Sequence, residues 1–282
     1  LRRIVPIYYF SLFAIIIFKE PQLFTTLPGI SNILKHLTFT HAFWESSSHT
    51  INPVAWTLSH EMIFYLILPF LFWLSGRKLW RTLLVVTVMV AINFAYRNYI
   101  FHNFYGAWSE TQQLIFTEQL PGRLDQFALG IITSFIFIKT AHMWHGRTAK
   151  SISLAVFCAS AVFFYYLLGV SVKTGIGIRD VEWMQAFFGT ITAGTFAIGL
   201  FAFLHTFSFV QNIISNRFFG FFGLISYSVY LWHYKVTESL NGLQVSVSVK
   251  FLLCFGVVIA LSTLTYFLIE LPFLKRKTLN RS

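Results

Sequence analysis

A histidine and a carboxylate stand side by side, His60-Glu61, near the start of a long apolar run that reads Pro53-Val54-Ala55-Trp56-Thr57-Leu58-Ser59-His60-Glu61-Met62-Ile63-Phe64-Tyr65-Leu66-Ile67-Leu68-Pro69. A charge at the centre of a bilayer costs roughly 2.5–3.5 kcal/mol even on insertion scales, so an intramembrane carboxylate faces a cavity, a partner or a substrate. On a helix, residues three and four apart share a face. Trp56, His60 and Phe64 therefore lie along one line, and Thr57, Glu61 and Tyr65 along the next. Glu61 is the first candidate for acid or base chemistry, with His60 beside it. The structural alternative is a protonated Glu61 bonded to a neighbouring tyrosine and a His60 held at the headgroup level.

Three further groups have the residue types for a site. Arg123 and Asp125 are two apart, about 200° round a helix, so each needs a partner other than its neighbour. A guanidinium fork suits an anionic or hydroxyl-rich substrate group. Downstream, Ile225-Ser226-Tyr227-Ser228-Val229-Tyr230-Leu231-Trp232-His233 puts Ser226, Tyr230 and His233 on one helix face. Ser226 and His233 are about 10 Å apart along the axis, beyond the reach of a nucleophile and its base. His233 is then a base acting alone or an anchor at the helix end. Arg2-Arg3 opens the chain's first apolar run, where it serves as a topology signal and as a contact for phosphates near the free N–H groups of a helix start.

These residues sit in a chain of 282 residues that is 56% hydrophobic, 19% aromatic and only 11% charged, with mean hydropathy +0.66. That composition defines an all-α polytopic membrane bundle. The net charge of +11 does not indicate nucleic acid, because the basic residues fall in short segments between apolar runs. Cys158 and Cys254 lie inside such runs with no metal-ligand spacing, so neither a disulfide framework nor a metal site is expected.

Hydropathy predicts eight spans: Ile4–Phe18, Val54–Leu74, Leu79–Tyr96, Leu120–Ile138, Ile152–Leu168, Met184–His205, Phe218–Val236 and Val247–Ile269. Ile30–Phe43, interrupted by Lys35, His36 and His41, reads as an interfacial or re-entrant segment. A polar loop is expected between Tyr96 and Leu120. Residues 1–273 form one transmembrane domain in this reading, and 274–282 a basic tail. An even span number puts 13 of the 21 Lys and Arg with the two chain ends, which the positive-inside rule makes cytoplasmic. Glu61, Arg123 and His233 then lie toward the opposite face. No repeat or pair of Gly/Pro-broken spans suggests a repeat-built transporter.

In order, the chain carries Arg2-Arg3-Ile4-Val5-Pro6-Ile7-Tyr8; Trp56 to Glu61 with Phe64-Tyr65 and Pro69; Arg123-Leu124-Asp125-Gln126-Phe127 with Gly130; Ile225 to His233; and Glu270-Leu271-Pro272-Phe273. Over nearly its whole length it resembles the integral membrane acyltransferase 3 family, whose members O-acylate cell-surface and exported polysaccharides. The resemblance implies about ten spans, a cytoplasmic acyl-coenzyme A donor and an acceptor hydroxyl on the outer side of a bacterial inner membrane. It places Arg2 and Arg3 at the donor's phosphates, Glu61, Arg123 and Asp125 in the acceptor-side cavity, and Tyr227, Tyr230 and His233 in the late motif, with Trp56 and Tyr65 near the substrate. It also implies a first span bearing an arginine and a catalytic histidine. The chain opens on Leu1 without an initiator methionine, so those residues are expected upstream, and His60 and His233 do not stand in for that histidine. The implied reaction moves an acetyl or similar group from acyl-coenzyme A to a sugar hydroxyl. A transporter or flippase for a lipid-linked sugar is the alternative, with the same polar groups lining a path.

Overall fold

The computed structural model describes residues 2–76, 78–104, 107–144, 146–174 and 182–275, and these are helical with no strand. Arg77 and residues 276–282, which hold most of the expected basic tail, lie outside the described residues. In chain order the helices are α1 Val5–Lys19, α2 Leu27–Leu37, α3 Trp56–Ser75, α4 Leu79–Phe104, α5 Glu110–Thr117, α6 Leu124–Thr140, α7 Arg147–Thr174, α8 Glu182–His205, α9 Ser208–Ile214, α10 Arg217–Leu240, α11 Val247–Thr265 and α12 Leu271–Lys275. A π-helical turn, Tyr266–Glu270, joins α11 to α12.

Local chemistry explains most of the boundaries. Pro6 opens α1, where its missing N–H costs no intrahelical bond, and Glu20-Pro21 closes it. Thr26 caps α2 by accepting the Gly29 N–H at 3.2 Å, and Asn216 caps α10 by accepting the Phe219 N–H at 3.0 Å. Gly29 is required by space, since a Cβ there would lie 2.4 Å from the Leu23 carbonyl oxygen.

Six helical segments among the described residues are long and apolar enough to cross a membrane: Pro53–Ser75, Leu79–Phe104, Leu120–Met143, Arg147–Ser171, Phe187–His205 and Val247–Leu274. By length and composition these six correspond to six of the eight expected spans. α1 has 15 residues, short for a span, and α10 has the length but carries Ser226, Ser228, His233 and Lys235. The outward apolar surface is what lipid contact requires: Phe18, Leu66 and Val247 are each at least 80% exposed.

The chain divides into two compact units, Leu1–Met62 with Asn216–Ser282, and Ile63–Ser215. In the first, Leu12, Ile15 and Ile16 of α1 pack with Ile33 of α2, Trp232 and Val236 of α10 and Val258 of α11. A second cluster joins Ile7 and Tyr8 to Ala55, Leu58 and Leu231. In the second unit, Phe64 stacks on Phe127 with ring centroids 3.7 Å apart, among Val85, Met89, Ala128 and Ile131.

One expectation changes, and another gains its local structure. The segment after Tyr96 is helix rather than polar loop: α4 continues to Phe104 and α5 follows, because Arg97 is buried against partners in its own unit. The interfacial segment is a short amphipathic helix, α2, tied to α1 by hydrogen bonds from Tyr8 Oη to the His36 carbonyl (3.3 Å) and from Tyr9 Oη to the Leu37 carbonyl (2.6 Å). The chain between α2 and α3 holds two strained residues, Phe39 at φ 57° and Ile51 at φ 55°. Both are buried, and Asn52 beside Ile51 donates to the Leu231 carbonyl at 2.9 Å, so packing holds the strain in place.

Candidate functional site

In the first unit, the start of α3 packs on α10. Tyr230 donates its hydroxyl proton to the Val54 carbonyl, which leaves the Thr57 hydroxyl to donate to Tyr230 Oη at 2.5 Å. Tyr227 donates to the Ile4 carbonyl at 3.3 Å. Glu61 is half-buried within electrostatic reach of both tyrosines. Their hydroxyls are already committed to backbone carbonyls, and among the described residues the Glu61 carboxylate accepts no hydrogen bond. Among the described residues no tyrosine hydrogen-bonds to Glu61.

His60 sits differently. It is 4% exposed, its Nδ1 lies 2.9 Å from the Trp56 carbonyl, and its ring packs edge-on against Trp56 and tilted against Phe43, each 5.5 Å away. Trp56 also neighbours His49. These contacts make His60 part of an aromatic box on its own helix face. Tyr65, one turn beyond Glu61 and at the start of the second unit, is exposed.

His233 is exposed, with Nδ1 2.8 Å from the Tyr230 carbonyl. That bond assigns the proton to Nδ1 and leaves Nε2 as the basic atom. Ser226 donates to the Gly223 carbonyl, so it takes no part with His233. Arg2 is exposed and makes no hydrogen bond or ion pair among the described residues. Arg3 is anchored: Nη2 donates to the carbonyls of Gly223 (3.0 Å) and Leu224 (2.8 Å), and Nε reaches Glu270 at 3.4 Å.

Sequence reasoning passed over a histidine pair in this unit. His36 and His41 stack with ring centroids 4.0 Å apart, and neither is exposed. His36 Nδ1 faces the Asn32 carbonyl at 3.0 Å; His41 Nε2 faces the Ala55 carbonyl at 3.2 Å and its Nδ1 faces Ser59 Oγ at 3.1 Å. Burial pushes the His36 imidazole down to about 4. Burial, and then the neighbouring His36 ring, pushes His41 down to about 3. Both rings are neutral parts of the scaffold that seats α3. The only sequence signal was five-residue spacing across a helix end.

In the second unit, Asp125 and Arg123 have separate environments. Asp125 is wholly buried and accepts from Asn93 Nδ2 at 3.1 Å and from the Thr190 hydroxyl, with Arg97 Nη2 at 3.9 Å. Arg97 in turn donates from Nε and Nη2 to the Gly122 carbonyl at 2.9 and 2.6 Å. The Asp125 carboxylate, in the first turn of α6, is a hub joining α4, α6 and α8, aided by the positive end of its helix. Asn93 and Arg97 escaped notice because their stretch reads as the end of a span. Arg123 pairs with Glu118 at 3.4 Å and opens onto a cavity of about 790 Å³ together with Gln126, Gly130 and Ala193. Of the two motif residues, Arg123 is the one that meets open space. No cluster of three or more metal-ligating side chains occurs among the described residues.

Fold and polar groups together define a multi-pass, all-helical membrane protein that keeps a carboxylate and a cavity-facing guanidinium within apolar helices. The acyltransferase domain family matches residues 1–267, and the chain belongs to this family of membrane acyltransferases. No curated protein and no solved structure matches the chain.

Proposed function

We propose that this protein is an O-acyltransferase of a bacterial plasma membrane that moves an acetyl or similar acyl group from cytoplasmic acyl-coenzyme A to a hydroxyl of a cell-surface or exported polysaccharide. Family membership supplies acyl transfer. The observation that carries the rest is Glu61: an apolar helix holds a half-buried carboxylate that accepts no hydrogen bond among the described residues, a cost that substrate contact would offset. In the reaction, the acceptor oxygen attacks the thioester carbonyl, the C–S bond breaks, and the hydroxyl proton leaves through a base toward the departing thiolate. Glu61 orients or tunes that base. Arg123, facing the cavity of the second unit, holds the acceptor or the developing oxyanion. Arg2, exposed at the entry to α1, meets the donor's phosphates, with Arg3 beside it. His233, with Nε2 uncommitted, belongs to the same machinery, and Trp56, Tyr65, Tyr227 and Tyr230 line the substrate's surroundings.

Mass spectrometry of surface or exported glycan tests this in cells with the intact gene, with the gene deleted, and with Glu61→Ala. Loss of one acyl mass in both altered strains, with the variant protein present in the membrane, is the expected result. Unchanged acylation with glycan accumulating inside the deletion strain would overturn it in favour of a flippase.

A further inference from the structure

Glu270 is a fully buried carboxylate that contacts Arg3 near the start of the chain. It closes the π-helical turn Tyr266–Glu270 and is 0% exposed. In an uninterrupted α-helix it would project about 140° round from Thr265. The wider i→i+5 turn brings it back toward the face of Thr265, where both meet Ser228 of α10. Ser228 donates to Glu270 Oε1 at 2.5 Å, and Thr265 Oγ1 lies 3.3 Å from Ser228 Oγ. The other carboxylate oxygen, Oε2, takes Arg3 Nε at 3.4 Å.

Arg3 is the cation of this arrangement, and its side chain is 40% exposed while that of Glu270 is not exposed at all. Glu270 and the Gly223 and Leu224 carbonyls occupy Nε and Nη2. Among the described residues Nη1 has no partner, so one end of the fork is fixed and the other is open. A guanidinium held in this way loses little further freedom on binding an anion, whereas a free arginine side chain must be ordered first. A buried carboxylate with a hydroxyl on one oxygen and a cation on the other is satisfied only with Arg3 in this pose. The π turn, the serine and the carbonyls all serve the same pose.

We propose that Glu270 is a positioning residue for donor binding, which grips one edge of Arg3 so that Nη1 is presented to the phosphates of acyl-coenzyme A. This inference rests on the acyl-coenzyme A reading above. Ser228 supports it from behind, by holding the second carboxylate oxygen.

The test uses the full-length protein in bilayer nanodiscs, with acetyl-coenzyme A and phosphate-free acetyl-pantetheine as donors. Glu270→Gln is expected to raise KM for acetyl-coenzyme A about tenfold with kcat little changed, while acetyl-pantetheine is used as by the wild type. Glu270→Asp should recover part of that loss. A KM rise shared equally by both donors, or no rise at normal membrane level, overturns the proposal. Should Glu270→Gln fail to accumulate, Ser228→Ala keeps the charge and removes its hydrogen bond; a KM rise selective for acetyl-coenzyme A supports the proposal, and its absence overturns it. Wild-type protein that turns over neither donor would sink the acyl-coenzyme A reading itself, and this inference with it. Turnover by the wild type with unaltered variants sinks the inference alone.

Discussion

His36 and His41 lie face to face, ring centroids 4.0 Å apart and planes 9° from parallel, at the point where α2 hands the chain to α3. Two imidazoles can stack this closely without exposure only while both are neutral, and the ring depressed further, His41, also feels His60 and His49. The unfolded chain would take up a proton on each near pH 6.5, whereas the fold resists until about 4 for His36 and about 3 for His41.

Stability should therefore be level above pH 6.5 and fall as pH drops below it, because the unfolded state then binds more protons than the native one. The slope is about 1.4 kcal/mol per pH unit for each histidine, ending near pH 4 for His36 and near pH 3 for His41. Denaturant unfolding of the solubilised protein at pH 7, 6, 5 and 4.5 measures it. His36→Phe keeps a ring in the stack and should remove about half the slope. An unaltered slope would mean that other groups govern acid sensitivity.

Asp125 and Arg123, two residues apart, should respond to mutation in opposite ways. Asp125→Ala removes the buried acceptor that Asn93, the Thr190 hydroxyl and Arg97 share, and should cost about 3–5 kcal/mol. Replacing both, as Arg97→Met with Asp125→Leu, should restore much of that loss. Arg123→Ala, at a cavity wall, should leave the melting temperature within a few degrees while lowering acyl transfer. Thermal scans and glycan acylation on the same preparations read both effects. Equal losses of stability for the two single variants would contradict this division.

Gly29 and Gly130 provide a paired test of close approach. An alanine Cβ at Gly29 would collide with the Leu23 backbone, and Gly29→Ala should destabilise by about 1–3 kcal/mol. At Gly130 a Cβ meets nothing within 4 Å, so Gly130→Ala should be neutral or slightly stabilising through helix propensity. Proteolysis of the two variants over a denaturant series distinguishes them.

Tyr230 and Thr57 act as one unit, since the Thr57 hydroxyl bonds to the tyrosine oxygen that itself bonds the Val54 carbonyl. Tyr230→Phe and Thr57→Val should each cost about 1 kcal/mol, and the double variant less than their sum. Full additivity in a double-mutant cycle would show that the two hydroxyls are independent.

Much of this was legible before any coordinates. The membrane class and all-helical fold follow from long apolar runs, because backbone N–H and C=O groups in lipid must be satisfied within each segment. The start of α1 falls one residue from the expected Ile4, whereas the caps at Thr26 and Asn216 emerge only with the fold. Glu61 and Arg123 drew attention because a charge in an apolar run is costly wherever it ends up.

The tertiary structure alone decided what each charge does. Arg97 looked like the end of a span until the Gly122 carbonyl and Asp125 appeared beside it. His36 and His41 looked like interruptions in a short apolar segment, and only folding back on α3 made them a neutral stack. Arg3 and Glu270 stand at opposite ends of the chain, and no local spacing could have joined them. The division is physical: propensity, capping and hydropathy are set by near neighbours, while the role of a buried polar group is fixed by whichever distant donor or acceptor satisfies it.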